Sequence, residues 1–183
     1  IYSIDPQNGV VNRYEIPEIK QPVSNLLVTE SGLMYITTNE GAYEYNIGYK
    51  QLTKLPFTIP EKDNGIIFYD KYDKVWFQEG NQALTYYDPL NRSHHRFTFP
   101  NQNAIGNFEM QDAGEQGMFF MTPGGEILLF DREKLEMTRI NQLKPFSDDL
   151  PNQLFFHLLL DKDGILWLAS TSSGVSVSYT HLR

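Results

Sequence analysis

The sequence contains no cysteine, which removes disulfides, thiolate zinc sites and cysteine nucleophiles together. This fits either cytoplasm or periplasm. No apolar run approaches the roughly 18 residues of a membrane-spanning helix, so no membrane contact is expected of this segment. Positive charge is scarce: 15 Lys and Arg stand against 23 Asp and Glu, a formal net charge of −8. No basic cluster offsets that balance, and a phosphate backbone would be repelled, so nucleic acid is not an expected partner. No stretch sustains a 3.6-residue hydrophobic period, so almost no helix is expected. A start Met and a basic leader region are both missing from Ile1 to Asp5, and the reading takes the chain to begin within a longer one.

Aromatic residues are abundant, at 14% of 183 residues, with eleven Tyr and twelve Phe. Such side chains fit a pleated, half-buried surface. Short apolar runs that end in an aromatic followed by Asp or Asn recur, with Asp5, Asn46, Asp88 and Asp131 at intervals of 41, 42 and 43 residues. A second marker keeps the same rhythm: an acidic residue closes one run and an aromatic centres the next, at Glu30/Tyr35, Asp70/Trp76, Asp112/Phe119 and Asp161/Trp167. An ordinary β-sandwich would have to produce both by coincidence.

Each unit divides into four runs. First strands are expected at 26–30, 65–70, 108–112 and 155–161. Second strands are expected at 33–38, 74–79, 117–122 and 165–171. Third strands follow at 41–46, 83–88, 126–131 and 174–179, and fourth strands at 51–57, 93–99 and 137–143. Gly, Asn, Asp and Pro mark the boundaries, as turn chemistry requires. The inner runs are nearly continuously apolar, which predicts strands buried on both faces. The fourth runs carry Lys54, His94, His95, Arg96 and Arg139, which suits a solvated edge where charge blocks edge-to-edge pairing. Four strands per roughly 42 residues is the blade of a β-propeller.

The fold class is therefore all-β: a partial β-propeller of about four blades, each of four antiparallel strands. Residues 1–16 read as the end of a blade, 26–57, 65–99 and 108–143 as whole blades, and 154–179 as an incomplete one. The two ends could join into one composite blade of a small ring. The preferred reading is an arc cut from a longer propeller. The closing SVSYTHLR supplies neither the turn nor the fourth strand that a third strand should lead into.

The segment SDDLPNQLFFHLLLDKDGILWLASTSSGV, residues 147–175, resembles the two-component-regulator propeller repeat. Ser147-Asp148-Asp149, Asp161-Lys162-Asp163-Gly164, Leu166-Trp167-Leu168, Thr171 and Gly174-Val175 fill that repeat's slots. Residues 28–46 match more loosely, with Tyr35 in place of Trp. The turn from Asp70 to Trp76 lacks the Gly, and Asp112 to Phe119 has an irregular turn. The resemblance implies a non-catalytic piece of the periplasmic sensor region of a hybrid two-component histidine kinase, of the type frequent in Bacteroidetes. Such a region works in signal transduction through a phosphorelay and commonly detects oligosaccharides from glycan breakdown. The partners implied are an oligosaccharide ligand, the rest of the parent chain and a homodimer mate. A propeller lyase or glycan-active enzyme, or a purely structural interaction propeller, are the alternatives.

Candidate chemistry is sparse, and neither a cofactor nor a metal is expected. Asp161-Lys162-Asp163-Gly164 begins like a calcium loop, but Leu166 and Ser172 stand where Gly and Glu are needed, so a turn is expected. His94 and His95 are adjacent on a strand and point to opposite faces, so they do not chelate one ion together. His157 lies in an apolar run and is expected in the core or facing the channel. The carboxylates of the second marker recur once per blade, which suggests turn-building rather than catalysis, and no catalytic residue is assigned. Ser170-Thr171-Ser172-Ser173 lacks a nucleophile elbow. The ligand-binding expectation rests on the turns between second and third strands and the connections into first strands: Thr38, Asn39, Gln78, Glu79, Thr122, Asn152, Thr171 and Ser172, with His157 near the axis. Their amide, hydroxyl and carboxylate groups suit hydrogen bonds to sugar hydroxyls.

Overall fold

The computed structural model describes residues 1–57, 65, 67–79, 83–98, 108–114, 117–122, 125–140, 155–170 and 174–178. Every regular element among them is a strand, in five antiparallel sheets. A hairpin of β1 (Tyr2–Ile4) and β2 (Val11–Arg13) comes first. The second sheet holds β3 (Val23–Val28), β4 (Leu33–Thr38), β5 (Gly41–Asn46) and β6 (Gln51–Lys54) in sequence order. The third holds β7 (Ile67–Tyr69), β8 (Val75–Glu79), β9 (Ala83–Asp88) and β10 (Ser93–Thr98). The fourth holds β11 (Glu109–Asp112), β12 (Met118–Met121), β13 (Ile127–Asp131) and β14 (Glu136–Arg139). The last holds β15 (Phe155–Leu160), β16 (Leu166–Ser170) and β17 (Gly174–Ser178). The chain is an arc of propeller blades. β4, β5 and β9 coincide with the expected runs, and β3 starts three residues before its expected position.

Successive sheets pack face to face with one apolar cluster in each gap. Side-chain alternation along β4, β8 and β12 feeds two gaps at once. Met34 and Ile36 pack on Ile16 and Tyr45, while Tyr35 between them faces Val75, Phe77 and Tyr87 of the next sheet. Trp76, between Val75 and Phe77, turns the other way and joins Phe97, Met118, Phe120 and Phe130. Phe119 and Met121 then meet Phe155, Leu158, Leu166 and Leu168 of the last sheet. The continuous apolar run of a second strand thus follows from having a core on both sides.

The first strands behave differently from the expectation of burial on both faces. Val23, Leu26 and Val28 of β3 are exposed, as are Phe156 and Leu159 of β15. A first strand is the innermost of its blade. Adjacent sheets approach most closely there, β11 against β15 and β3 against β7, so its flanks converge on the axis of the arc and no further sheet covers its inner side.

Gly117 closes the β11–β12 turn at φ +122°, where a Cβ would sit 1.7 Å from the Phe130 carbonyl oxygen. Gly117→Ala is expected to push β13 away and cost more than about 3 kcal/mol. Urea unfolding checks this, and a loss below 1 kcal/mol would count against the close approach.

Candidate ligand face

The two sequence markers become two kinds of cap, both at the same end of the blades. At the ends of β1, β5, β9 and β13 an Asp or Asn side chain accepts from the backbone of the turn that follows. Asp5 Oδ1 takes the Gln7 N–H, Asn46 Oδ1 that of Tyr49, Asp88 Oδ1 that of Leu90 and Asp131 Oδ1 that of Glu133, at 2.8–3.0 Å. Four places later the backbone turns left-handed, at Gly9, Lys50, Arg92 and Leu135.

The second marker holds the turn between first and second strands. Asp70 Oδ1 accepts from the Tyr72 and Lys74 N–H groups at 2.9 and 3.0 Å, and its Oδ2 accepts from the Trp76 indole at 3.2 Å. Asp161 repeats this with Asp163, Ile165 and the Trp167 indole, at 2.9, 2.9 and 2.8 Å. Two anchors differ from the sequence reading. The backbone pairing Asp70 N to Lys74 O recurs as Thr29 to Leu33 and Ala113 to Gly117, so Thr29 and Ala113 fill the slot, not Glu30 and Asp112. Thr29 Oγ1 accepts from the Leu33 N–H at 3.2 Å, as a carboxylate would. The Gly missing from the Asp70 turn is replaced by Asp73 at φ 60°, a conformation short polar side chains tolerate.

Arg132 joins the third and fourth sheets across this end. Its Nη1 donates to Asp70 Oδ2 at 2.6 Å, its Nη2 to Asp112 Oδ1 at 3.1 Å, and its guanidinium lies 4.3 Å from the Tyr72 ring centre. Among the described residues the buried Arg132 Nε has no hydrogen-bond partner. Nothing in the sequence spacing relates residue 132 to residue 70.

At the opposite end lie the residues expected to bind ligand. The Thr38 hydroxyl is 2% exposed, accepts from the Glu40 N–H and donates to the Gly41 carbonyl oxygen. Gln78 is 2% exposed, and its Oε1 accepts from the Phe108 N–H of the next sheet. Glu79 is buried, takes the Thr85 hydroxyl and pairs with Arg96 Nε at 2.7 Å. The Thr122 hydroxyl is buried and accepts from Glu126 N–H at 3.1 Å. Asn39 is exposed in the β4–β5 turn. Asn152, Thr171 and Ser172 lie outside the described residues. The side chains of Thr38, Gln78, Glu79 and Thr122 are thus engaged in turns, in an ion pair or between sheets.

His157 is exposed on β15, not in the core. Its Nδ1 lies 2.9 Å from Glu109 Oε2 on β11, which also accepts the Leu158 N–H at 3.0 Å. A register shift between Phe155 and His157 precedes it, matching the shift between Val23 and Asn25 on β3, and such bulges re-aim a side chain. Glu109 is the one carboxylate recorded against His157 among the described residues, and no group of three metal-ligating side chains occurs among them. His94 and His95 do face opposite sides, one 5.7 Å from Phe57 and the other 4.7 Å from Phe97.

Residues 149–172 match the family model of the two component regulator propeller. Over those residues the chain is similar to a two-component-regulator propeller repeat. No curated protein sequence matches it. Among solved structures it is similar to the extracellular domain of a B. thetaiotaomicron protein described as a hybrid two component system, at 18% identity and a TM-score of 0.59, over 85% of this chain and 20% of that one. A second such extracellular domain from the same organism matches at 14% identity and a TM-score of 0.54, over 97% and 22%. A virginiamycin B lyase from Staphylococcus aureus matches at 16% identity and a TM-score of 0.61, over 100% and 63%. The chain spans about a fifth of the length of the extracellular domains it matches, and at these identities the likeness is one of fold.

Asp70→Ala would strand the Trp76 indole, two backbone N–H groups and half of the Arg132 pairing in a buried site, at an expected cost of about 3–5 kcal/mol. Asp70→Asn is expected to lose nearly as much, because its amide N–H₂ would face two donors. Recovery of wild-type stability by Asn in urea titrations would remove the charge from this account.

Three carboxyls are held below the ordinary value of 3.8: Asp88 because the Lys74 ammonium and turn N–H groups outweigh its burial, Asp131 by Lys134, and Asp161 by the Trp167 indole and the Ile165 N–H. A depressed carboxyl stabilises the fold above its unfolded value and loses that contribution as pH falls through the folded value. Stability is expected to be level with respect to these groups above about pH 5 and to decline below about pH 4. Melting temperature against pH checks this, and a curve flat to pH 3 would sink it.

Proposed function

We propose that the chain is a non-catalytic segment of the periplasmic sensor region of a hybrid two-component regulator. It detects oligosaccharides released from glycans, and the change is passed through the parent chain to a membrane-anchored kinase. The observation that carries this reading is the Asp161–Trp167 unit: its residues match the two-component-regulator repeat, and its carboxylate–indole tie recurs at Asp70–Trp76. The likeness of its sheets to extracellular domains of hybrid two component systems supports the placement outside the cytoplasm.

The full reading frame tests it. Further blades, a membrane helix and a histidine kinase core are expected after this segment, and a frame that closes without them would refute the proposal. A glycan array separates a sensor from a scaffold: selective signals for one oligosaccharide class are expected, and uniform background favours the scaffold.

One observation favours a second reading, an enzyme of the propeller-lyase kind: the Glu109–His157 pair on adjacent inner strands, in a fold shared with a lyase. Product formation from quinupristin, abolished in His157→Ala, would establish it.

A further inference from the structure

The end of the blades that carries the caps also carries a cleft of about 410 Å³ between the second and third sheets, at the turns Thr29–Leu33 and Asp70–Lys74. We propose that this cleft, walled by Tyr35, Tyr69 and Tyr72 and rimmed by Ser31, Asp73 and Lys74, is a binding subsite for a neutral saccharide ring. The proposal rests on the oligosaccharide-sensing reading and moves its site to the opposite end of the blades from the turns that the sequence suggested.

Three observations carry it. First, Tyr69 and Tyr72 stand at one opening above the fully buried Tyr35, and aromatic faces are apolar platforms for the C–H face of a ring. Tyr72 stays 37% exposed although Arg132 sits over its ring, so it is held in place without being covered.

Second, the rim holds one carboxylate, Asp73, whose charge no ammonium or guanidinium offsets in an ion pair among the described residues. The Lys74 ammonium is matched by Asp88 at 2.9 Å, and Asp73 receives the Tyr69 hydroxyl. Burial, followed by the Asp73 hydrogen bond, pushes the Tyr69 phenol up to about 12, so it remains a donor across the physiological range. An anionic ligand would meet the Asp73 carboxylate, and the Lys74 ammonium is already paired. A ligand with many hydroxyls finds donors and acceptors together, including the Ser31 and Thr29 hydroxyls that share one hydrogen bond at 2.8 Å.

Third, the site is preorganised by the same contacts that build the fold. The Asp70 cap fixes the Tyr72 backbone and Arg132 fixes its ring. Two larger clefts among the described residues lie at the outer strands, and charged residues such as Arg96, Glu126 and Arg139 or Arg13, Glu15 and Lys50 wall them, which suits a neutral ring less well.

The test is calorimetric titration of the 183-residue chain with neutral hexasaccharides (maltohexaose, xylohexaose, mannohexaose and a fructan hexamer) and with hexagalacturonate. At least one neutral member is expected to bind and to slow amide exchange at residues 69–74. Tyr72→Ala is expected to weaken it about tenfold, as loss of an aromatic contact would. Tyr72→Phe keeps the ring and is expected to stay within about threefold of wild type, as the same contact persists. Asp73→Asn keeps the left-handed turn and is expected to weaken binding about fivefold through loss of a charged acceptor. Binding that Tyr72→Ala and Asp73→Asn leave unchanged, without protection at 69–74, overturns the cleft and leaves the sensor reading standing. Failure of every neutral oligosaccharide to bind, or tighter binding of hexagalacturonate, overturns the cleft assignment; failure of all members overturns the sensing reading as well.

Discussion

A carboxylate that caps a turn through one oxygen and holds an indole through the other does two jobs that this fold requires at once. The cap fixes where the first strand ends and the second begins. The indole N–H then fixes which way the ring of the second strand leans, six residues on. In the third sheet that ring is fully buried in the gap to the fourth sheet. A buried N–H needs a partner, and Asp70 supplies it from the edge of the same gap. Register within the blade and packing between blades are thereby set by one side chain.

The other units show what happens when the pair changes. With Thr29 in the carboxylate slot, the ring is Tyr35, and its hydroxyl donates to Glu44 on the neighbouring strand at 3.1 Å. With Ala113 in the slot the ring is Phe119, which needs no partner and is wholly buried. A ring that carries a donor has an acceptor; a ring without one sits beside an alanine. The irregular blades therefore obey the same constraint as the regular ones, by a different chemical route. They look degenerate only when the motif is read as letters and not as donors and acceptors.

Much of the fold was legible in the sequence for this reason. Strand runs, their order within blades and the repeat period follow from alternation and from Asx turns, and both are local. The second marker was misplaced by one residue in two of four units, because Glu30 and Asp112 are acidic while the true slots hold Thr29 and Ala113. That slip hid a relation. Counted from Ala113 and Asp161, Glu109 and His157 occupy the same position, four residues upstream, on adjacent inner strands that approach each other. Their contact is readable from the repeat once the slot is corrected. The Arg132–Asp70 contact, across 62 residues, is not, because it depends on the angle between neighbouring sheets and not on the period. The exposure of the inner strands escaped the reading for a related reason: an apolar residue facing the axis and one facing a core look the same in one dimension.

The same geometry bears on where a ligand can act. At the end with the turns between second and third strands, short polar side chains lie close to the backbone and are consumed by it: Thr38 and Thr122 close their own hairpins, and Gln78 reaches across to the next sheet. At the other end, caps of Asp and Asn satisfy the turn backbone from beneath, which frees larger side chains such as Tyr72 to stand at the surface. Tyr72 is in contact with Arg132, and Arg132 ties Asp70 of one sheet to Asp112 of the next. A molecule seated against Tyr72 would press on a contact that spans two blades. Were the proposed site occupied, the angle between the third and fourth sheets would feel it through Arg132, a link that the contacts of Thr38 and Thr122 within their own hairpins do not supply at the other end.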